Sequence, residues 1–350
     1  MLLNIFFTSW SFVKVFFITF FSSFYFSQVI KKRETVYIYF SIIGGIFTIT
    51  QLVGFLFPNN QIITVVKTYY ILIFILFPLM VTLFFRRPVL SVKETIPNRD
   101  VDIEIKIGDL FNTKGARIIG TNTTFDTNIN NGTISPKSLQ GQFTQQFYTN
   151  HEHLYSDIIS FLSANDCISL NGERKGNYKR YPMGTIVPIN KDSNIFYFVA
   201  INDMNEYGVV CNVSFENILD ILGRLWQFFR VSRISYETTI VLPLLGTGML
   251  NIPVKREKLI REIIKSFLAS ISEGKNSICS HLVILISPND YKQYNIDLLE
   301  LKQYLFVKCI ELSDDLVYQS TKTPASLDIG VFPTSVSNND EFLDLNNSLD

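Results

Sequence analysis

The chain has 350 residues, and its 31 Lys+Arg balance 31 Asp+Glu, for a formal net charge of zero. That balance excludes a strongly basic nucleic-acid binder and an acidic unfolded chain. It also conceals a segregation: residues 1–87 carry seven basic residues, one acid and 17 of the 31 phenylalanines, whereas the remainder carries 24 basic and 30 acidic residues. A chain divided in this way reads as a membrane part joined to a water-soluble part.

In chain order, residues 1–30 come first, with an apolar stretch at 5–30 that includes Lys14 and many Ser and Thr among its Phe residues. It is either a further span or a Phe-rich helix lying in the membrane interface. A secretory signal peptide is disfavoured, because the start lacks positive charge and no small-x-small site stands before Lys31. Residues 35–57 are free of charge and residues 62–85 contain only Lys67. Each is long enough to cross a bilayer, which takes about 20 apolar residues. The short turn Pro58-Asn59-Asn60-Gln61 makes the two a helical hairpin. Lys31, Lys32, Arg33, Arg86 and Arg87 flank it, so the positive-inside rule puts both outer ends and everything after Arg87 in the cytoplasm. Lys67 either marks a pathway or snorkels from near a helix end; the second is the commoner fate.

Residues 88–100, with Pro88 and Pro97, read as a linker. Val101 to Ile107 alternates apolar with charged residues, the pattern of a half-buried strand. Short apolar runs at Arg117–Gly120, Thr185–Ile189, Ile195–Ile201, Thr239–Leu244 and Leu282–Ser287 predict buried strands. Helical periodicity appears at Leu154–Leu162, at Ser214–Val231 with Ser214 as N-cap, and at Lys255–Ile271. Strands alternating with helices predict an α/β sandwich around one largely buried sheet, one domain over residues 101–312. Residues 313–350 hold seven acids and one base with few aromatics, and read as a disordered tail.

Much familiar chemistry is missing. Cys167, Cys211, Cys279 and Cys309 are scattered and form no CxxC pair, so they read as reduced, mainly core thiols. His151-Glu152-His153 fits no metal motif and reads as a solvated loop. No catalytic or metal-binding constellation is expected, nor a cofactor.

Three loops fall where α/β folds bind ligands, after strands and before helices. Gly108-Asp109-Leu110 ends the alternating strand, and a carboxylate there can accept from an exocyclic amine such as that of adenine. Ser138-Leu139-Gln140-Gly141-Gln142-Phe143 leads into helix-like sequence. Pro243 to Met249, with Gly246-Thr247-Gly248, precedes the clearest amphipathic helix. Glycines there let backbone N–H groups approach an anion. Each loop alone is equally well an ordinary tight turn.

Taken in order, Gly108–Leu110, Ile118–Asn122, the Gly141 loop and Pro243–Met249, followed by the strand His281–Ser287 and Pro288–Tyr291, resemble the macro domain, a family that binds ADP-ribose and related nucleotides. Asn122 to Thr127 and Ser138 to Phe143, behind an N-terminal hairpin, further resemble the macro-domain membrane effectors of the Thoeris antiphage system. The resemblance implies a macro-like three-layer sandwich with a mixed central sheet, preceded by two or three transmembrane helices. It implies a plasma-membrane protein whose cytoplasmic domain senses an ADP-ribose conjugate or related nucleotide, made from NAD by a TIR-domain partner, and then harms the membrane, as a homo-oligomer. By that resemblance Asp109, with Leu110, contacts the base, and Asn122 and Asp126 lie near the distal ribose. Gln140, Gly141, Gln142 and Phe143 form one phosphate loop, and Gly246, Thr247, Gly248 and Met249 the other. Hydrolytic macro domains carry an Asn-Ala-Ala-Asn pattern; here its last position is Phe125, and the first phosphate loop keeps only Gly141 between two glutamines. Phe125 is thus either a wall of the ligand site or plain core. Both departures favour a binder over an ADP-ribosyl hydrolase. A membrane-tethered hydrolase and a non-toxic nucleotide-binding scaffold are the alternatives.

Overall fold

The structure, a computed structural model, describes residues 13–21, 25, 33–58, 61–86, 88–97, 99–162, 167–211, 214–231, 239–248, 252–273 and 278–322. Most of the apolar stretch 5–30, the residues of the tail beyond 322, and Met249 therefore lie outside the described residues.

Helix α1 (Arg33–Leu56) is 24 residues long and, among the described residues, the one helix long and apolar enough to cross a membrane. Its side chains point outward: Phe55 is 84% exposed and Phe40 and Phe47 are also exposed. The second apolar stretch is helical but broken. Helix α2 (Gln61–Thr68) gives way to a π-turn (Leu72–Leu76) and then α3 (Phe77–Phe85). Pro78 explains the break, since it lacks an N–H and crowds the preceding turn, and a widened turn absorbs both. The apolar helix Leu72–Phe85 is correspondingly shorter than a full span. α1 packs against all three pieces, and Glu34 pairs with Arg86 at 2.8 Å across the open end, so the segment is a hairpin. Of the earlier stretch, residues 13–20 are helical, and Val15 joins the apolar core of the following domain.

The linker reading of residues 88–100 is corrected by a strand, β1 (Ser91–Ile96). Val92 and Ile96 are buried and the strand pairs antiparallel with β2 (Val101–Ile107). Charges at Lys93 and Glu94 masked its alternation. The remaining elements are β3 (Ala116–Asn122), α4 (Leu139–Phe147), α5 (His151–Phe161), β4 (Ile168–Ser169), β5 (Lys179–Arg180), β6 (Ile186–Lys191), β7 (Asn194–Met204), β8 (Val210–Cys211), α6 (Phe215–Val231), β9 (Thr239–Pro243), α7 (Arg256–Glu273), β10 (His281–Ile286), α8 (Pro288–Tyr294) and α9 (Leu298–Lys322).

Among the described residues the main sheet has eight strands, in the order β1-β2-β10-β9-β3-β7-β6, with β8 paired to β7. Strands β2, β10, β9, β3 and β7 run parallel, and β1 and β6 close the two edges antiparallel. Successive side chains of a strand face opposite sides, and here both sides are covered. Ile118, Leu242, Ile284 and Tyr197 pack with α6, α7 and α9, whereas Ile119, Val241, Val283 and Phe198 pack with α4 and α5. This is the expected three-layer α/β sandwich with a mixed sheet.

Two smaller expectations change. His151–His153 occupy the first turn of α5, capped by Asn150, rather than a loop. The final helix α9 runs on to Lys322, ten residues past the boundary set by composition. Cys279 and Cys309 are buried core thiols, and burial pushes them up to about 12 and about 11. Cys167 and Cys211 are only half-buried.

Candidate functional site

The parallel strands all end on one side of the sheet, and there their loops surround a cavity of about 880 Å³. That volume lies within the usual range for small-molecule sites, roughly 300–1,000 Å³. One wall comes from Gly108, Asp109 and Leu110 after β2, another from Thr121 and Asn122 at the end of β3. Pro243 to Gly248 after β9 and Ser287 to Asp290 after β10 lie between them. Asn202 and Met204 of β7 close the far end, and Ser135, Lys137, Ser138, Leu139, Gln140 and Gln142 form the roof.

Asp109 is exposed, and its Oδ1 accepts from the amides of Phe111 and Asn112 at 2.9 and 3.2 Å, which shapes its own turn. Behind this loop stands the buried Arg117. Its Nε donates to Thr113 O at 2.7 Å, and Thr113 Oγ1 donates to Asp109 O at 2.7 Å. Burial lowers the Arg117 pKa, and the nearby Asp109 opposes that shift.

At the end of β3 the ladder with β7 slips between Thr121 and Asn122. Such irregularities re-aim side chains at strand ends. Asn122 is buried and committed: Nδ2 donates to Asp126 Oδ2 at 3.0 Å and approaches Met204 Sδ at 2.6 Å, while Oδ1 accepts from the Asp126 amide at 3.0 Å. Asp126 does not line the cavity. Its carboxylate is buried and also accepts from Thr124 Oγ1 at 2.6 Å and the Asn177 amide at 2.5 Å. It therefore holds the turn together from inside the protein. Phe125 is fully buried, sits at φ +48°, and meets Tyr181 edge-on at 5.8 Å. It belongs to the core beneath α4 and α5, and the reading of Phe125 as core is the one the packing supports.

The first glycine loop divides in the same manner. Ser138 caps α4, accepting from the Gly141 amide at 3.0 Å, so the helix N-terminus stands at the cavity roof. Gln140 and Gln142 line the cavity; Gly141 and Phe143 do not. A Cβ on Gly141 would overlap the Ser135 carbonyl, so this glycine serves close helix–loop packing. Phe143 is core, 4.7 Å from Phe196 and 5.1 Å from Phe198.

In the second loop Gly246, Thr247 and Gly248 all line the cavity. Gly246 has φ +75°, and a Cβ there would strike Ile252, so only glycine fits. The buried Arg256 ties this loop to α8, donating from Nη2 to Thr247 O at 2.8 Å and standing 3.7 Å from Asp290. Ser287 caps α8 through the Asp290 amide at 3.0 Å. Sequence reasoning passed over Thr121, Asn202, Met204 and Thr133–Ser135 as site residues. The first three stand at strand ends, where the rule that ligands bind beyond the carboxyl ends of parallel strands would have found them.

The profile of the Thoeris protein ThsA macro domain matches residues 103–287, which run from β2 to the cap of α8. The chain belongs to the Thoeris ThsA macro-domain family. Thoeris protein ThsA of Bacillus amyloliquefaciens strain Y2 is 24% identical over 214 residues, spanning 58% of this chain and 67% of that protein. Among solved structures, a variant of the Oceanobacillus iheyensis macrodomain is 15% identical, with TM-score 0.40, covering 62% of this chain and 94% of its own. The same macrodomain with ADP is 16% identical, with TM-score 0.38, covering 61% and 97%. A further variant of it with ADPR is 16% identical, also with TM-score 0.38, covering 61% and 99%. In ThsA-type terms, residues 103–287 hold every strand-end loop of the cavity except the residues donated by α8.

Proposed function

We propose that this protein is a ligand-gated membrane effector of antiphage defence, whose macro domain binds an ADP-ribose-derived signal. The observation that carries the reading is continuity. The apolar hairpin runs through residues 88–90 directly into β1, and β1 is hydrogen-bonded to the strand that ends at the Asp109 loop. Ile107 N donates to Leu90 O at 2.8 Å, one residue before the cavity wall begins. Family membership supports the defence role, and the cavity's size and two helix N-termini support a diphosphate-bearing nucleotide.

In this reading a TIR-domain partner makes the signal from NAD, the domain and tail lie in the cytoplasm, and the hairpin lies in the plasma membrane. The signal must bind the active arrangement more tightly than the resting one, since equal affinity shifts nothing. The domain binds without cleaving, because the Asn122 amide is spent inside the protein on Asp126 and Met204. Dye-loaded vesicles carrying the full chain test the proposal: ADP-ribose conjugates from a TIR-domain extract should trigger leakage. Tight binding with no leakage would leave a scaffold instead. Release of free ADP-ribose from a conjugate would make it a hydrolase.

A further inference from the structure

We propose that Arg256 is a positioning residue for phosphate recognition by the loop after β9. The inference rests on the nucleotide reading given above. A loop holds an anion when its N–H groups face the ligand and its carbonyl oxygens are turned away. Leu244 O is turned away by Thr247, whose Oγ1 donates at 2.7 Å, and Gly246 O by the Ile252 amide at 3.2 Å. Thr247 O differs: it accepts from Arg256 Nη2 at 2.8 Å, a side chain supplied from α7.

Arg256 is only 4% exposed, so it acts from beneath the cavity floor rather than as a contact. It also stands 3.7 Å from an Asp290 carboxylate oxygen, and its guanidinium lies 4.1 Å from the centre of the Tyr294 ring. Asp290 and Tyr294 line the cavity on the α8 side. One buried cation therefore withdraws a carbonyl from one wall and offsets a carboxylate on the next. Without it, a carbonyl dipole and an uncompensated carboxylate would stand against a diphosphate. A neutral adenosine would feel neither. Lysine keeps the charge but not the forked geometry that reaches Thr247 and Asp290 together.

The test is the Kd of the full chain for ADP-ribose, adenosine and inorganic pyrophosphate, in wild type, R256K, R256M and R256M/D290N. R256M should weaken ADP-ribose and pyrophosphate by about tenfold or more and adenosine by less than about twofold, the scale of one or two lost polar interactions. R256K should fall between, which keeps the test alive if R256M folds poorly. Adding D290N to R256M should return part of the pyrophosphate affinity. An equal loss for adenosine, or no loss for pyrophosphate, overturns the inference. A wild type that binds pyrophosphate but not ADP-ribose would sink the nucleotide reading, while the pyrophosphate ratio would still decide the role of Arg256.

Discussion

Phe125 and Asp126, adjacent in the turn after β3, hold the end of that strand in different ways: one packs in the core and the other gathers hydrogen bonds. As letters, Phe125 takes the last position of the Asn-Ala-Ala-Asn pattern and Asp126 follows it. In the fold, Phe125 turns into the core at a positive φ, and Asp126 gathers three donors behind it. Spacing reveals which residues share a turn; it does not reveal which donors a buried carboxylate will find, and so it did not show that Asp126 stays off the cavity lining. The glycines divide on the same ground. Gly246 was legible as a ligand loop because it follows a strand. Gly141 lies beside the roof because its missing Cβ makes room for Ser135. Phe125→Ala is expected to cost about 3–5 kcal/mol, the usual range for emptying a core phenylalanine. Urea unfolding of residues 88–350 checks this; unchanged stability with altered ligand preference would return Phe125 to the site.

β2 was legible because its apolar residues fill one face in strict alternation, and β7, β9 and β10 because their unbroken apolar runs fill both faces of a buried sheet. β1 was not, because it is an edge strand with prolines beside it and charges within it. The N-terminus of α4 depends on one hydroxyl. Ser138→Ala removes the acceptor of the Gly141 amide, and a cost of about 1 kcal/mol is expected from lost capping, read as a lower Tm. Ligand affinity should fall with it, since the freed turn is the cavity roof. Elsewhere Glu104 of β2 faces His281 of β10 across the ladder, 3.3 Å apart. His281 holds the Glu104 carboxyl below its ordinary range, outweighing its half-burial. A depressed carboxyl stabilises the fold at neutral pH and loses that contribution as pH falls through its folded-state value. Stability of the wild type should therefore drop more steeply between about pH 5 and about pH 3 than that of Glu104→Gln, as measured by thermal melts in that window.

At the scale of the molecule, the zero net charge is a cancellation of three parts: a basic hairpin region, an evenly charged domain and an acidic C-terminal stretch. Residues 88–313 hold 23 basic and 23 acidic residues, so bulk charge offers an incoming diphosphate no long-range attraction. In the proposed reading, recognition then falls to loop amides, helix ends and Arg256 braced beneath them. Binding of ADP-ribose should accordingly change by less than about threefold between 50 and 500 mM salt, where a basic site would weaken far more. Isothermal titration across that range checks it, and a steep salt slope would mean a charged site. The sheet order has one more consequence, which concerns time. Among the described residues β10 is the last strand made, yet it lies between β2 and β9. As the chain leaves the ribosome, the apolar helices emerge first, and the walls at Asp109 and Gly246 have no shared neighbour until residue 286 has been added. Long-range insertion of a central strand is slow compared with local helix formation. Each new molecule thus acquires its hairpin before the loops after β2 and β9 are joined around one cavity, and a chain cut short before β10 would have the one without the other.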